Sequence, residues 1–255
     1  MLYAAKSHTG LVRQMNQDSY AVHPMGNWTF AVVADGMGGA AAGEIASQMA
    51  AEVVVREVEL GLAAGTEPIP TLRQAIQKAN HEIWAKSRSN VDYLGMGTTL
   101  VAALYTSEEV IVAHVGDSRA YRFHAGVLEQ VTRDHSLVAE LVRRGQITED
   151  EAMHHPQKNV VTRSLGTLEW SDPEIYELTF EPGDLVLLCT DGLTNCVTGE
   201  ELTEHLATIP SDTQEAGQSE LEGVCDQLVQ LTLDRGAPDN ITLILIAHRK
   251  ELGAK

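Results

Sequence analysis

The chain has 255 residues, with 36 Asp and Glu against 18 Lys and Arg, a formal charge of −18. At 44 % hydrophobic and 21 % charged residues it is a folded globular protein by composition, which excludes intrinsic disorder. The acid excess argues against nucleic acid or an anionic membrane as partner, because phosphate-rich surfaces are held by basic faces. Cys189, Cys196 and Cys225 form no CxxC pair, so neither a disulfide framework nor a structural zinc site is expected. Residues 1–6 carry no apolar h-region and no run approaches the roughly 18 apolar residues of a membrane span, so neither a leader nor a span is expected. The expectation is a cytoplasmic protein in a reducing compartment.

In chain order, residues 19–22 read as a short strand and 28–35 (WTFAVVAD) as a β-branched one that stops at an Asp-Gly pair. Residues 43–60 and 71–88 follow as adjacent helices of 3.6-residue period, separated by the Gly- and Pro-containing stretch 61–70. Residues 98–105, 110–115 and 120–124 form a meander with turns at 106–108 and 116–118. A short helix is expected over 136–145, opened by a Ser cap and closed by Gly145. Residues 184–190 (DLVLLCT) and 241–247 (ITLILIA) are near-continuous apolar runs, the pattern of strands buried on both faces. Between them lie a polar stretch at 209–219, expected to be a mobile loop, and an amphipathic helix at 220–235 followed by Gly236. Neither candidate linker is long enough to require a domain boundary, so one domain over residues 1–255 is expected. Strands and helices come in segregated runs rather than in βαβα alternation. The expected fold is therefore α+β, a four-layer α-β-β-α sandwich of two mainly antiparallel sheets flanked by helix pairs.

Four aspartates share one context. Asp35 and Asp191 end strands and precede glycines, Asp117 follows the 110–115 strand, and Asp239 directly precedes the last one. Singly, each reads as turn chemistry. If their strands are neighbours in one core, the ends can gather at one rim, where crowded carboxylates would take up protons or demand a cation. Oxygen donors without a His or Cys set suit Mg²⁺ or Mn²⁺ rather than zinc. A glycine beside an Asp lets the backbone approach, so the Gly36 carbonyl is a further candidate ligand. Arg13 and Asp18 lie just before the first short strand, and Arg13 is either a solvated charge or a bidentate clamp on phosphate or carboxylate.

Gly36, Gly38 and Ala41 also satisfy G-x-G-x-x-A. The dinucleotide reading is weak because the following helix runs into another helix, and no strand-terminal acid lies about 20 residues on. There is no G-x-x-x-x-G-K-[ST], HExxH, G-x-S-x-G or C-x5-R. His154-His155 reads as part of an exposed helical segment, His114 as a packing or orienting residue in a strand, and His135 stays ambiguous.

Taken in order, Arg13-x-x-Asn16-Gln17-Asp18, Ala34-Asp-Gly-Met-Gly-Gly39, Met96-Gly-Thr-Thr99, His114-Val-Gly-Asp-Ser-Arg119, Asp134-His135, Ser164-Leu-Gly166, Thr190-Asp-Gly-Leu193 and Asp239-Asn240 resemble the metal-dependent protein Ser/Thr phosphatases of type 2C, in their compact bacterial form. The resemblance runs from about residue 5 to 247. It implies a β-sandwich flanked by helix pairs, with Asp35, Asp191 and Asp239 holding two core Mg²⁺ or Mn²⁺ ions and the Gly36 carbonyl as a further ligand. It implies that Asp117, with Asp191, binds a third ion, that Asp18 orients metal-bound water, and that Arg13 grips the substrate phosphate. A mobile flap insert is implied at about 137–163, where residues 142–156 read as a helix-turn-helix.

The implied reaction is hydrolysis of phosphoserine and phosphothreonine in proteins by a metal-bridging hydroxide, attacking in line with no covalent intermediate. Implied partners are phosphorylated proteins, including a Ser/Thr kinase or its targets, acted on by a monomer. Two departures stand out: Met37 occupies a position that is His in many eukaryotic members, and Ala40 one that is His in many bacterial members. They leave the general acid open. The alternative to an active enzyme is a catalytically weak, partner-binding regulatory module on the same fold.

Overall fold

The computed structural model describes residues 2–39, 42–210 and 217–248. Strands β1 (Leu2–His8), β2 (Asp18–Met25) and β3 (Trp28–Met37) come first, followed by helices α1 (Ala42–Ala63) and α2 (Pro68–Ser87). The two-residue β4 (Gly97–Thr98) leads into β5 (Leu100–Tyr105), β6 (Glu109–Val115), β7 (Arg119–His124) and β8 (Val127–Gln130). Two short helices, α3 (Leu137–Arg143) and α4 (Glu149–Met153), occupy the insert. The chain continues through β9 (Glu174–Thr179), β10 (Leu185–Cys189), α5 (Asp191–Thr194), α6 (Gly199–Leu206), α7 (Gln218–Asp234) and β11 (Ile241–Ala247).

The strands form two antiparallel sheets, ordered β1-β11-β10-β7-β8 and β2-β3-β5-β6-β9, with β4 hooked onto β3. Their inner faces meet through Val33, Val101, Val112, Val186, Leu188 and Ile244. Because side chains alternate along a strand, Phe30, Val32 and Leu104 point the other way, onto Ala50 and Val54 of α1 and Leu72 and Ile76 of α2. On the far side Leu187 and Leu245 pack with Leu202 of α6 and Leu221 and Leu228 of α7. The central strands are thus covered on both faces, and that is why β10 and β11 are near-continuous apolar runs, broken only by Thr242. The result is the α-β-β-α layering expected from the segregation of elements.

Several boundaries differ from the sequence expectation. Helix α1 runs on to Ala63 and α2 begins at Pro68, so the expected 61–70 linker shrinks to residues 64–67. Gly61 lies inside α1 where the two helices approach, and a Cβ there would stand 2.6 Å from Thr71 Cγ2. Proline is tolerated in the first turn of α2, where its missing N–H has no helical partner to lose. Strand β3 continues past Asp35, with Gly36 opposite Thr98 of β4. Strands β1, β8 and β9 and helix α6 add to the elements that the sequence pattern predicts; β1, β8 and β9 are partly exposed and lack a clean alternation. Of the polar stretch 209–219, residues 211–216 lie outside the described residues.

The strand register decides where the ends fall. His8 pairs with Ile241, Cys189 with Leu243, Asp18 with Asp35, and Leu100 with Val115. These pairings bring the starts of β2 and β11 and the ends of β3, β6 and β10 to one end of the sandwich. Leu188, fully buried between the sheets, reports on this core. Leu188→Ala is expected to lower the unfolding free energy by about 2–5 kcal/mol in a denaturant titration, while Leu60→Ala, on an exposed side chain, stays within about 0.5 kcal/mol.

Candidate active site

The five acids singled out in the sequence converge at that end. Asp18 and Asp35 are direct cross-strand partners on β2 and β3, a placement in which like charges repel. Asp191 opens α5 immediately after β10. The backbone behind it packs on the 239–240 segment: a Cβ at Gly192 would lie 1.9 Å from the Asn240 carbonyl oxygen and 3.6 Å from Asp239 Cβ. Glycine there is what allows Asp191 and Asp239 to share one site. Gly116 has φ +116°, and a Cβ on it would meet Thr99 Cβ at 2.6 Å, so the turn that presents Asp117 needs glycine as well.

Each acid is aimed by its neighbours. The Asp35 carbonyl accepts from Thr99 N–H (2.9 Å) and Thr98 Oγ1 (2.8 Å), and the Asp35 N–H donates to Thr99 Oγ1 (3.0 Å). Thr99 Oγ1 is in turn 2.7 Å from Ser118 Oγ, next to Asp117. Thr190, next to Asp191, donates its hydroxyl to Asp18 Oδ2 (3.0 Å), and its oxygen accepts the Thr242 N–H (3.0 Å). Asp239 Oδ1 accepts its neighbour's N–H from Asn240 at 2.9 Å, while Oδ2 accepts from Arg13 Nη2 at 2.8 Å.

Asn240 ties the N-terminal loop to this frame. Its side-chain amide donates to the carbonyls of Thr9 (2.7 Å) and Met15 (2.9 Å), and its Oδ1 accepts the Gln17 N–H (2.8 Å). Sequence patterns place Asn240, Thr190 and Thr99 inside motifs without giving them a role. For Thr190 and Asn240 the signal is adjacency to Asp191 and Asp239; Thr99 has no acid beside it in the chain.

The electrostatics follow from burial and crowding. Burial, together with the charges of Asp191 and Asp239, pushes Asp18 up to about 7 against hydrogen bonds from Thr242 and Thr190. Asp117 is likewise pushed up to about 7, by burial and by the charges of Asp191 and Asp134. Asp35 is held well above the ordinary carboxylate range by burial, then by Asp18, Asp191, Asp117 and Asp239. Asp191 is raised by burial and by Asp239.

Two oxygens in the cluster, Asp18 Oδ1 and Asp191 Oδ1, are buried with no hydrogen-bond partner. An unpartnered buried acceptor costs about 1–3 kcal/mol, and an all-oxygen donor set is what a hard divalent cation takes. The residues therefore fit Mg²⁺ or Mn²⁺. Arg13 is the only cation that touches one of the five carboxylates through a side-chain hydrogen bond among the described residues. Gly36 is wedged between Gln17 and Gly43, where a Cβ would stand 2.0 Å from the Gly43 carbonyl oxygen, and its own carbonyl faces Gly43 at the start of α1.

The histidines separate cleanly. His154 is exposed at the end of α4, with Nδ1 3.0 Å from the Asp150 carbonyl. His114 and His135 are both buried and stack on each other, outside the acid cluster.

The metal-free cluster sets a sign for stability against pH. Asp18 and Asp117 have folded values near 7, above the ordinary 3.8. Their contribution is thus fully present below about pH 4 and lost as pH rises through 7. In chelator, the melting temperature is expected to fall between pH 5 and pH 8. Asp18→Asn should raise it at pH 8 but not at pH 4, and excess Mn²⁺ should restore the parent at pH 8. A flat melting profile over this range would contradict burial and crowding of these carboxyls as the cause.

Comparisons with known proteins bear on the family and the fold. A family model described as Protein phosphatase 2C matches residues 7–229. The chain is 39 % identical over 246 residues to the serine/threonine phosphatase stp of Listeria monocytogenes, covering 94 % of this chain and 93 % of that protein. It superposes on the crystal structure of the Mycobacterium tuberculosis serine/threonine phosphatase PstP/Ppp with a TM-score of 0.82 and 35 % identity, over 97 % of this chain and 98 % of the other. A catalytic domain of the phosphatase PstP, solved in complex with 2 manganese ions, matches with a TM-score of 0.80 and 34 % identity, over 95 % and 96 %. With the family model matching residues 7–229 and the fold shared over 97 % of the chain, the chain belongs to the protein phosphatase 2C family.

Proposed function

We propose that this chain is a single phosphatase domain over residues 1–255 that hydrolyses phosphoserine and phosphothreonine in proteins with the aid of Mg²⁺ or Mn²⁺. The observation that carries the reading is the pair of unpartnered, buried carboxylate oxygens on Asp18 and Asp191 within a cluster of five acids. Such a cluster has little purpose without cations, and its oxygen donors match the metal seen with a relative's catalytic domain.

In this reading Asp35, Asp191 and Asp239 hold two core ions, with the Gly36 carbonyl as a further oxygen, and Asp117 joins Asp191 for a third. Bound divalent ions supply charge neutralisation at phosphorus and a water acidic enough to act as nucleophile near neutral pH. Asp18 Oδ1, free of any protein partner, accepts a hydrogen bond from that water and orients it. Arg13, whose guanidinium now rests on Asp239, turns to the phosphoryl oxygens and offsets their charge as the serine or threonine oxygen departs in line. With water as the nucleophile, the one-step displacement needs no covalent protein intermediate, consistent with the absence of a C-x5-R loop.

The insert at about 137–163 is read as a flap beside this site. The substrates are phosphorylated proteins, including a Ser/Thr kinase or its targets, and the enzyme works as a cytoplasmic monomer. No helix among the described residues is long and apolar enough to cross a membrane.

The test is turnover of a phosphothreonine peptide. Activity with Mn²⁺ is expected, lost in EDTA and recovered on adding metal back. Asp35→Asn and Asp191→Asn should each lower kcat at least about 100-fold, and Arg13→Ala should raise KM about 10-fold, the loss of a charge-assisted contact. Full activity in chelator would overturn the reading. No turnover with any phosphopeptide alongside tight partner binding would leave the regulatory module.

A further inference from the structure

At the base of the insert, outside the acid cluster, four side chains close on one another. Glu174 is the cross-strand partner of His114 on β9 and β6. Its Oε1 lies 3.0 Å from His135 Nε2 and accepts from Arg163 Nη1 at 3.2 Å, while Oε2 accepts from Tyr176 Oη at 2.5 Å. His135 Nδ1 accepts the Gly116 N–H at 3.0 Å, and the Gly116 carbonyl accepts the His135 N–H at 2.8 Å. An accepting Nδ1 puts the imidazole proton on Nε2, directed at Glu174. His114, fully buried and without a hydrogen-bond partner on either ring nitrogen, packs on the His135 ring with centroids 4.6 Å apart.

His114, His135 and Glu174 each place one ligand-type atom within 4.8 Å of the others, the spacing of a metal-ligand set. The cation beside two of them, Glu174 and His135, is the Arg163 guanidinium, with Nη1 3.0 Å from His135 Nε2. Against the upward pull of its partial burial, hydrogen bonds from Tyr176 and His135 hold Glu174 down at about 2, so it is a carboxylate at working pH.

The connections of this group lead in two directions. His135 and Arg163 stand at the two ends of the insert, whose feet are joined by the Ser136–Val161 bridge and by Thr162 N–H on the His135 carbonyl (2.7 Å). One carboxylate of the core sheet therefore holds both ends of the insert. Through His135 it also holds the amide of Gly116, one residue before Asp117, in a turn whose φ of +116° only glycine adopts readily.

We propose that Glu174 is a positioning residue for Asp117: by fixing the His135 imidazole it holds the Gly116 amide, and so sets the turn that presents Asp117 at the foot of the flap. The inference rests on the proposed role of Asp117 in catalysis. It gives Arg163 and His135 a shared task that the acid cluster does not explain. Partners that orient groups at a metal site typically carry about 10–100-fold in activity or affinity, and that range is expected here.

The test combines an amide probe with kinetics. In the metal-free protein, His135→Ala and Glu174→Ala are expected to cut hydrogen-exchange protection of the Gly116 amide at least about 10-fold. His135→Asn keeps an acceptor near the Nδ1 position and should retain that protection. With Mn²⁺ and a phosphothreonine peptide, the two alanine variants should lower kcat about 10-fold or more while KM stays within about 2-fold, and His135→Asn should recover most of the loss. On an Asp117→Asn background, Glu174→Ala should add no further loss of kcat. If the alanine variants do not fold, Glu174→Gln, which keeps the shape and removes the charge, should show the same effects at smaller size.

Unchanged Gly116 protection in the Glu174 variants overturns the proposal, as does a full multiplicative loss on the Asp117→Asn background. If Asp117→Asn alone leaves kcat at the parental level, the reading of Asp117 fails instead, and the amide probe still decides whether Glu174 and His135 hold the turn.

Discussion

Five carboxylates forced into one end of a β-sandwich repel one another, and the rest of the structure is arranged to hold them there. Asp18 and Asp35 face each other across two paired strands, where like charges are unfavourable. Burial adds to the repulsion, pushing Asp18 and Asp117 up to about 7. A flexible scaffold would relax by swinging the acids apart. This one resists because the strands behind the acids are fully buried: every residue of β10 and β11 is covered, as is β3 from Phe30 to Ala34. A packed interior has no slack into which a strand end could shift. The hydrophobic layers thus serve the site directly, by making retreat from the repulsion more costly than the repulsion.

Between core and acids lies a ring of small polar groups that sets direction rather than charge. Thr190 joins Asp18 to Thr242, Thr99 joins the Asp35 backbone to Ser118, and Asn240 fastens the loop that carries Arg13. None of these residues is ionised, so none neutralises the cluster. They are short and hydrogen-bonded on several sides, which limits the positions a neighbouring carboxylate can take. The glycines complete the arrangement by removing bulk. Gly192 lets α5 press on the 239–240 backbone and Gly116 lets its turn press on Thr99. Preorganisation of this kind is what allows charge to be offered to a cation without reorganisation when it arrives.

How much of this is legible in the sequence depends on what holds each feature in place. The apolar strands β10 and β11 and the Asp-Gly pairs after strands can be read directly, because burial on both faces and turn chemistry leave local marks. The layered fold follows from the order of runs. Local pattern makes the convergence of the five acids plausible and no more, since it depends on pairings such as His8 with Ile241 and Gly36 with Thr98, between residues well separated in the chain. Strand β9 escapes notice because EIYELT is half-buried and carries two glutamates, and with it goes any sign that Glu174 organises the base of the insert. Gly61 misleads for a related reason: it reads as a linker residue, whereas it is the point where α1 and α2 touch.

The two charged clusters of this molecule treat their carboxylates in opposite ways, and the contrast says which one is built to receive something. At the base of the insert, Glu174 is answered by Arg163, His135 and Tyr176, so its charge is closed within the protein. At the strand ends, Asp18 Oδ1 and Asp191 Oδ1 have no protein partner, and the only charge-assisted contact to the five acids is Arg13 on Asp239 among the described residues. A fold able to answer one half-buried acid so completely could have answered the others with a nearby lysine or arginine. Leaving them open makes the apo state less stable and makes the site selective for a small, highly charged, oxygen-seeking ion. The overall charge of −18 has the same two sources. Most of it lies on solvated faces, where it needs no counterpart, and a small part lies in a cluster that is complete only with cations beside it.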